Sequence, residues 1–80
     1  MDKLKIMGFN LYYLRVEAGY TKKRMAGIIG ICEKTLTRLE RGELPLRFNV
    51  THLVRVSKHF GVTVDGLFIP REGRAYPPKA

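Results

Sequence analysis

Four glycines divide most of the chain into short segments, and each segment carries apolar residues at the spacing of one helix face. Glycine is common just after the last residue of a helix, so these positions predict helix ends. The glycines are Gly19, Gly30, Gly42 and Gly61. No alternating strand pattern and no internal repeat interrupts the series. The chain is therefore predicted to be all-α.

The pattern places five helices along the chain. In order, they cover residues 2–18, 22–29, 33–41, 49–60 and 62–68. The first helix has Asp2 as its N-cap and an apolar stripe of Leu4, Met7, Leu11, Leu14 and Ala18. The fourth helix has an apolar face of Val50, Leu53, Val54, Ser57 and Phe60. Residues 1–69 are predicted to form one domain, and residues 70–80 a basic, Pro-containing flexible tail.

Three of the predicted helix starts share one local device, the hydrophobic staple, in which apolar residues flank a capping position. The triplets are Tyr20, Thr21 and Met25; Ile31, Cys32 and Leu36; and Val62, Thr63 and Leu67. The second and third helices are joined by a tight turn that contains Gly30.

Chain length and charge restrict the function. A chain of 80 residues buries only about 60% of its unfolded surface, so we do not expect a large enclosed active site. No nucleophile and base at usable spacing, paired carboxylates or phosphate loop occurs, and we do not expect an enzyme. Fifteen basic residues against seven acidic ones give a net charge of +8, which favours nucleic acid as partner, with an anionic membrane surface second.

A single cysteine, Cys32, excludes an intramolecular disulfide and a zinc site built on thiolates. His52 and His59 lack a third ligand, so we expect no metal and no cofactor, and both are expected at the surface or the core edge. No apolar run approaches the ~20 residues of a membrane-spanning helix, and no signal peptide is evident. The expected location is the cytoplasm.

Cations occupy the first turn of the second helix, where the helix dipole disfavours them by roughly 0.3 to 1 kcal/mol. Lys22, Lys23 and Arg24 there lie beside free backbone N–H groups, a combination that favours a bound phosphate. The alternative is that these side chains are flexible and solvated.

The third helix contains a second unfavourable arrangement of charge. Lys34 and Arg38 are four residues apart on its exposed side, and such like-charge pairs destabilise an isolated helix. Residues 19–47 hold seven basic and three acidic residues, a net charge of +4. A charged face can be merely solvated, but two helices joined by a short turn can also place the second in a DNA major groove.

The run GYTKKRMAGIIGICEKTLTRLERG, followed by VSKHFGVTVDGLF, resembles the Cro/cI-type (XRE, lambda repressor-like) helix-turn-helix family over roughly residues 5–69. The matching positions are Gly19, Tyr20, Thr21, Met25, Ala26, Gly30, Glu40, Gly42 and the segment from Phe60 to Phe68. The resemblance implies a five-helix DNA-binding domain and a repressor-like transcriptional regulator, with helix 33–41 reading the major groove of double-stranded DNA. Because one such helix reads few base pairs, a homodimer on a two-fold operator is expected.

The resemblance also assigns roles to individual residues. Positions that reach base edges match Glu33, Lys34, Thr37 and Arg38. Positions near phosphates match Thr21, Lys22, Thr35 and Arg41, to which the helix-start cations add Lys23. Arg15 and Glu40 match a structural ion pair between the first and third helices. An acid at the position of Glu33 can alternatively serve only the helix dipole.

Two departures from the family pattern concern the helix starts. Lys22 stands where the family usually has Gln, which favours a plain phosphate contact at this position. Cys32 replaces the common Ser or Thr cap of the third helix. Its thiol is either a redox-sensitive group favoured as thiolate by the helix N-terminus, or a small, partly buried residue.

A second class of function is a protein-interaction module of the same fold, such as an antitoxin or an accessory subunit. Phe9, Tyr12 and Tyr13 cannot all join the apolar stripe of the first helix, so they and Ile28 can contact a partner. The alternative is that these aromatic residues cover the fourth or fifth helix. Charge alone does not exclude RNA, although no stacked aromatic platform is evident.

Overall fold

A computed structural model describes residues 3–45 and 47–70 of the chain. These residues form four α-helices and one short 3₁₀ helix, η1, and no strand. The elements are α1 (Lys3–Glu17), α2 (Lys22–Ile29), α3 (Glu33–Glu40), α4 (Val50–Phe60) and η1 (Asp65–Phe68). The all-α prediction is confirmed. The proposed N-cap Asp2 and residues 71–80 of the proposed tail lie outside the described residues.

The fifth predicted helix is not confirmed as an α-helix, because residues 65–68 make a single 3₁₀ turn. The Thr63 hydroxyl accepts a hydrogen bond from the Gly66 N–H at 2.9 Å, as a helix cap would. Gly66 lies inside the turn and Pro70 follows it closely, and both residue types disfavour a longer α-helix. The local pattern predicted the turn correctly but overestimated its length.

The capping position predicted for α2 is confirmed, and α4 also begins at a side-chain cap. Thr21 caps α2 by accepting from the Arg24 N–H at 3.1 Å. Asn49 caps α4 by accepting from the Thr51 N–H at 2.9 Å, while the Asn49 N–H donates to His52 Nδ1 at 3.1 Å. His52 thus replaces the acid or amide that usually completes a capping box.

One core joins all of these elements. Its buried members are Met7, Leu11, Met25, Ala26, Ile29, Leu36, Leu39, Leu53, Val56 and Leu67. Met7 and Leu11, in the middle of the apolar stripe predicted for α1, are buried, but Ala18 at its end is exposed. The buried face of α4 is rotated slightly from the predicted face. Val56, which the prediction left out, is fully buried, whereas Val50, which it included, is 61% exposed.

Helices α1 and α3 approach each other closely at Gly8. A Cβ atom added to Gly8 would overlap the carbonyl oxygen of Leu39 and lie 3.3 Å from the Gly42 nitrogen. Hydrogen is therefore the only side chain that fits without moving the two helices apart. The end of α3 is consequently held directly against the backbone of α1.

Asn10 ties η1 to the other side of α1. Its side chain is 3% exposed, and its Nδ2 donates to the carbonyl oxygens of Leu67 at 2.7 Å and Ile69 at 3.0 Å. These two bonds join residues 57 and 59 positions apart and hold η1 against α1. None of the helices in the described part of the chain has the length and hydrophobicity that spanning a lipid bilayer requires.

The close approach at Gly8 leads to a stability prediction. Replacing Gly8 with Ala is expected to lower the free energy of unfolding by about 1–3 kcal/mol, because the new methyl group forces α1 and α3 apart. Urea unfolding followed by circular dichroism measures the change.

Gly27→Ala is the matched control, because Gly27 also lies inside a helix but has open space around its Cβ position. This control is expected to raise stability by roughly 0.5–1 kcal/mol through lower backbone entropy of the unfolded chain. A Gly8→Ala variant as stable as Gly27→Ala would contradict the close approach of α1 and α3.

Candidate nucleic-acid interface

The turn between α2 and α3 fixes how the third helix is presented. Gly30 adopts a left-handed conformation with φ of 91°, which glycine reaches without steric cost. The N–H groups of Gly30 and Ile31 both donate to the carbonyl oxygen of Ala26, at 2.8 and 2.9 Å. These bonds close α2 and start α3 after only three residues, Gly30–Cys32, as the sequence predicted.

The inner face of α3 is anchored in the core, and its outer face is basic. Leu36 and Leu39 are fully buried. Lys34, Arg38 and Arg41 are exposed and follow one another at spacings of four and three residues, so they form one stripe. No carboxylate of the described residues forms an ion pair with any of these three cations. We call Lys34, Arg38 and Arg41 the α3 stripe.

A hydrogen bond joins the start of α2 to the edge of α3. The Lys22 ammonium donates to the Thr37 hydroxyl oxygen at 3.2 Å, and that hydroxyl donates to the Glu33 carbonyl at 3.1 Å. Thr37 has therefore used its only proton, and its hydroxyl retains only acceptor capacity for a ligand. Lys22 keeps two N–H donors beside the α3 stripe.

The structure separates the three cations at the start of α2. Lys22 reaches toward α3, whereas the Arg24 guanidinium lies over the Tyr20 ring, 4.6 Å from its centroid. Lys23 is exposed and forms no hydrogen bond or ion pair with a described residue. Residues one and two apart on a helix point in different directions, which explains the separation. A single phosphate held by all three side chains is therefore not supported by this geometry.

The remaining predicted residues lie around the start of α3. Thr21 and Glu33 are exposed, and Thr35 is half-buried. The Thr35 hydroxyl lies 3.1 Å from the sulfur of Cys32. Cys32 itself is exposed, so the expectation of a small, partly buried residue is wrong.

The environment of Cys32 favours its thiolate. Hydrogen bonding from the Thr35 hydroxyl lowers the pKa of the Cys32 thiol below its usual value. The backbone amides of Thr35 and Lys34 add to this lowering of the pKa, although no full capping hydrogen bond forms.

An ion pair holds the end of α3 against α1. Arg15 Nε donates to Glu40 Oε2 at 2.8 Å, and a second guanidinium nitrogen donates to Oε1 at 3.2 Å. The third nitrogen of Arg15 donates to the Tyr20 carbonyl at 3.3 Å. The Arg15 and Glu40 side chains are only 13% and 8% exposed. The pairing implied by the resemblance is thus present as a two-point contact between α1 and α3.

Sequence reasoning missed the Lys22–Thr37 bond and the stacking of Arg24 on Tyr20. The first joins residues 15 positions apart, and no local pattern reports such a contact. The second had a usable signal, because Tyr20 and Arg24 are four residues apart at a helix start. Phe9, Tyr12 and Tyr13 are now also placed, since Phe9 is buried and both tyrosine rings are half-buried in edge-to-face contacts.

The Arg15–Glu40 contact leads to a second stability prediction. Replacing Glu40 with Gln is expected to lower the free energy of unfolding by about 3 kcal/mol, because it leaves the Arg15 charge unpaired in a mostly buried place. Glu43→Gln is the matched control, since Glu43 is exposed and forms no ion pair with a described residue. Thermal unfolding of both variants tests the contact, and equal losses in the two would contradict it.

Cys32 is expected to be alkylated by iodoacetamide with a pH midpoint below that of a free cysteine. Replacing Thr35 with Val removes the hydroxyl hydrogen bond and should move the midpoint upward, toward the ordinary thiol pKa. Thr35→Ser keeps the hydroxyl and should retain the low midpoint. Identical pH profiles for the Val and Ser variants would show that Thr35 does not stabilise the thiolate.

Comparison with models of protein families assigns residues 11–67 to a family described as Helix-turn-helix. A search of curated proteins finds no match to the chain. The matched range contains α2, the turn at Gly30, α3, α4 and most of η1. The match covers well over half of the chain and agrees with the observed order of helices. The chain belongs to the XRE, lambda repressor-like helix-turn-helix family.

Proposed function

We propose that the chain binds double-stranded DNA in a sequence-specific manner and regulates transcription as a repressor, with α3 in the major groove. The α3 stripe is the observation that carries this proposal. Its cations face solvent without ion-pair partners among the described residues, although like charges at this spacing destabilise the free helix. A polyanion lying along α3 turns that repulsion into attraction.

Direct base contacts are proposed for the outward side chains of α3. Lys34 and Arg38 donate to guanine O6 and N7, the most common specific contacts in a major groove. Glu33 accepts from cytosine N4. Thr37 contributes as an acceptor, because its proton is already bonded to the Glu33 carbonyl.

Phosphate contacts are proposed for the residues at the border of this surface. They are Thr21, Lys22, Lys23, Thr35 and Arg41. Lys22 also positions α3, since one of its N–H groups holds Thr37 while two remain for a phosphate oxygen. Phosphate contacts fix the orientation of the domain on the duplex, and base contacts then supply the specificity.

A homodimer on a two-fold operator is the proposed assembly. An α3 helix of eight residues reaches only a few base pairs, so a second copy supplies the specificity that one copy lacks. The half-sites are expected roughly 34–36 Å apart, about one turn of DNA. Among the described residues, four large apolar side chains are exposed and available for contact between copies: Val16, Leu44, Val50 and Ile69.

The salt dependence of DNA affinity tests the phosphate contacts. A logarithmic plot of affinity for mixed duplex DNA against salt should be linear and steep, with a slope of about −0.9 per phosphate contact. Lys23→Ala should make the slope shallower by about one unit, because Lys23 forms no hydrogen bond or ion pair with a described residue that the substitution would also remove. Lys58→Ala, which removes the same charge from α4, should leave the slope unchanged.

Arg38→Ala tests the base contacts. Its affinity for a duplex selected from a random pool should fall by about 1–3 kcal/mol, with a smaller loss on random duplex DNA. Equal losses on both duplexes would remove Arg38 from the base-reading role. An affinity that does not depend on salt, or no binding at low salt, would contradict the proposed function as a whole.

A further inference from the structure

A second basic surface lies between α2 and α4. It is an open groove of about 440 Å³ lined by Ile28, Arg55, Lys58 and His59. Ile28 is half-buried and supplies an apolar floor. We call this surface the α2–α4 groove.

One cation is fixed at the first end of the groove. Arg55 Nε donates to the Ile28 carbonyl oxygen at 3.1 Å, and the guanidinium lies against Gly30, within 3.4 Å of where a Cβ would be. The two terminal nitrogens of Arg55 form no hydrogen bond with a described residue. Their donors are therefore preorganised for a carboxylate, which a guanidinium can bind at two points.

The other end of the groove is aromatic. The His59 ring is hydrogen-bonded to the Tyr20 hydroxyl at 3.0 Å, and the Arg24 guanidinium lies over the ring of the same Tyr20. Lys58 also lines the groove, is exposed, and forms no hydrogen bond or ion pair with a described residue. Arg24, Arg55 and Lys58 thus carry three positive charges, and no described carboxylate forms an ion pair with them.

The α2–α4 groove shares no residue with the proposed DNA interface. On the α3 side of α2, Lys22 bonds to Thr37. On the α4 side, Ile28 bonds to Arg55, and Arg24 joins Tyr20 and His59. Helix α2 therefore separates two basic surfaces.

We propose that the α2–α4 groove docks an acidic segment of a partner protein, in which two carboxylates pair with Arg55 and Lys58 and an apolar side chain covers Ile28. The basic rim supplies charge complementarity, and the apolar floor distinguishes this surface from one that binds only phosphates. A phosphate backbone would leave the Ile28 side chain uncovered. This inference goes beyond DNA binding and does not depend on it.

The test uses a fluorescent peptide of roughly twelve residues that carries several Glu residues around one central Leu. Titration into the ¹⁵N-labelled chain should shift the amide signals of Ile28, Arg55, Lys58 and His59, but not those of Lys34 to Arg38. The Arg55→Ala, Lys58→Ala double variant should weaken peptide binding roughly tenfold while affinity for duplex DNA is retained.

The Lys34→Ala, Arg38→Ala double variant is the matched control. It removes the same number of charges from α3, and it should keep peptide affinity within about twofold while it loses DNA affinity. Lys58→Ala alone guards against a folding defect, because Lys58 forms no hydrogen bond or ion pair with a described residue. This single variant should still weaken peptide binding by several-fold.

Four results would overturn the proposal. The first is no peptide binding at low salt, and the second is an equal loss of peptide affinity in the groove and α3 double variants. The third is unchanged affinity for a peptide whose Leu is replaced with Ser, since the apolar floor would then have no role. A groove variant that lost as much DNA affinity as the α3 variant would instead assign the groove to the DNA interface and would also overturn it.

Discussion

The side chain of Arg15 connects three parts of the chain on which the rest of the structure depends. It starts from α1, pairs with Glu40 at the end of α3, and donates to the Tyr20 carbonyl just before α2. A lone charge at this mostly buried position would be costly, so the contact strongly favours one placement of the two helices. At Gly8 the backbones of α1 and α3 approach so closely that this placement is also fixed by steric exclusion.

This anchoring explains how the domain can present unfavourable charges on its surface. A small domain has little stability to spare, and the cations on α3 and at the start of α2 reduce it further. Leu36, Leu39 and the Arg15–Glu40 contact hold the inner face of α3, so its outer face does not need to contribute to folding. The outer face can therefore be selected for a ligand. Helix α2 lies between two basic surfaces, the α3 stripe on one side and the α2–α4 groove on the other.

Local sequence signals correctly predicted the structural features that depend only on neighbouring residues. The left-handed conformation of Gly30, the Thr21 cap and the boundaries of α2 follow from residues within a few positions of one another. The Lys22–Thr37 and Arg55–Ile28 bonds and the burial of Val56 were not predicted, because they depend on how distant helices pack. The Arg15–Glu40 pair was implied only by the family resemblance, since no spacing rule relates residues 25 positions apart. For the fifth helix, the local signal for a helix start was correct, but too few residues follow it to form an α-helix.

The placement of α3 in the major groove is tested most directly by methylation of guanine N7, an atom that is exposed only in that groove. A duplex selected for binding is methylated with dimethyl sulfate, and the bound and free fractions are compared. Methylation at specific guanines is expected to block binding of the natural chain, and Arg38→Ala is expected to lose this sensitivity at one guanine of each half-site while the others remain. Binding that is indifferent to methylation at every guanine N7 would contradict the placement of α3 in the major groove.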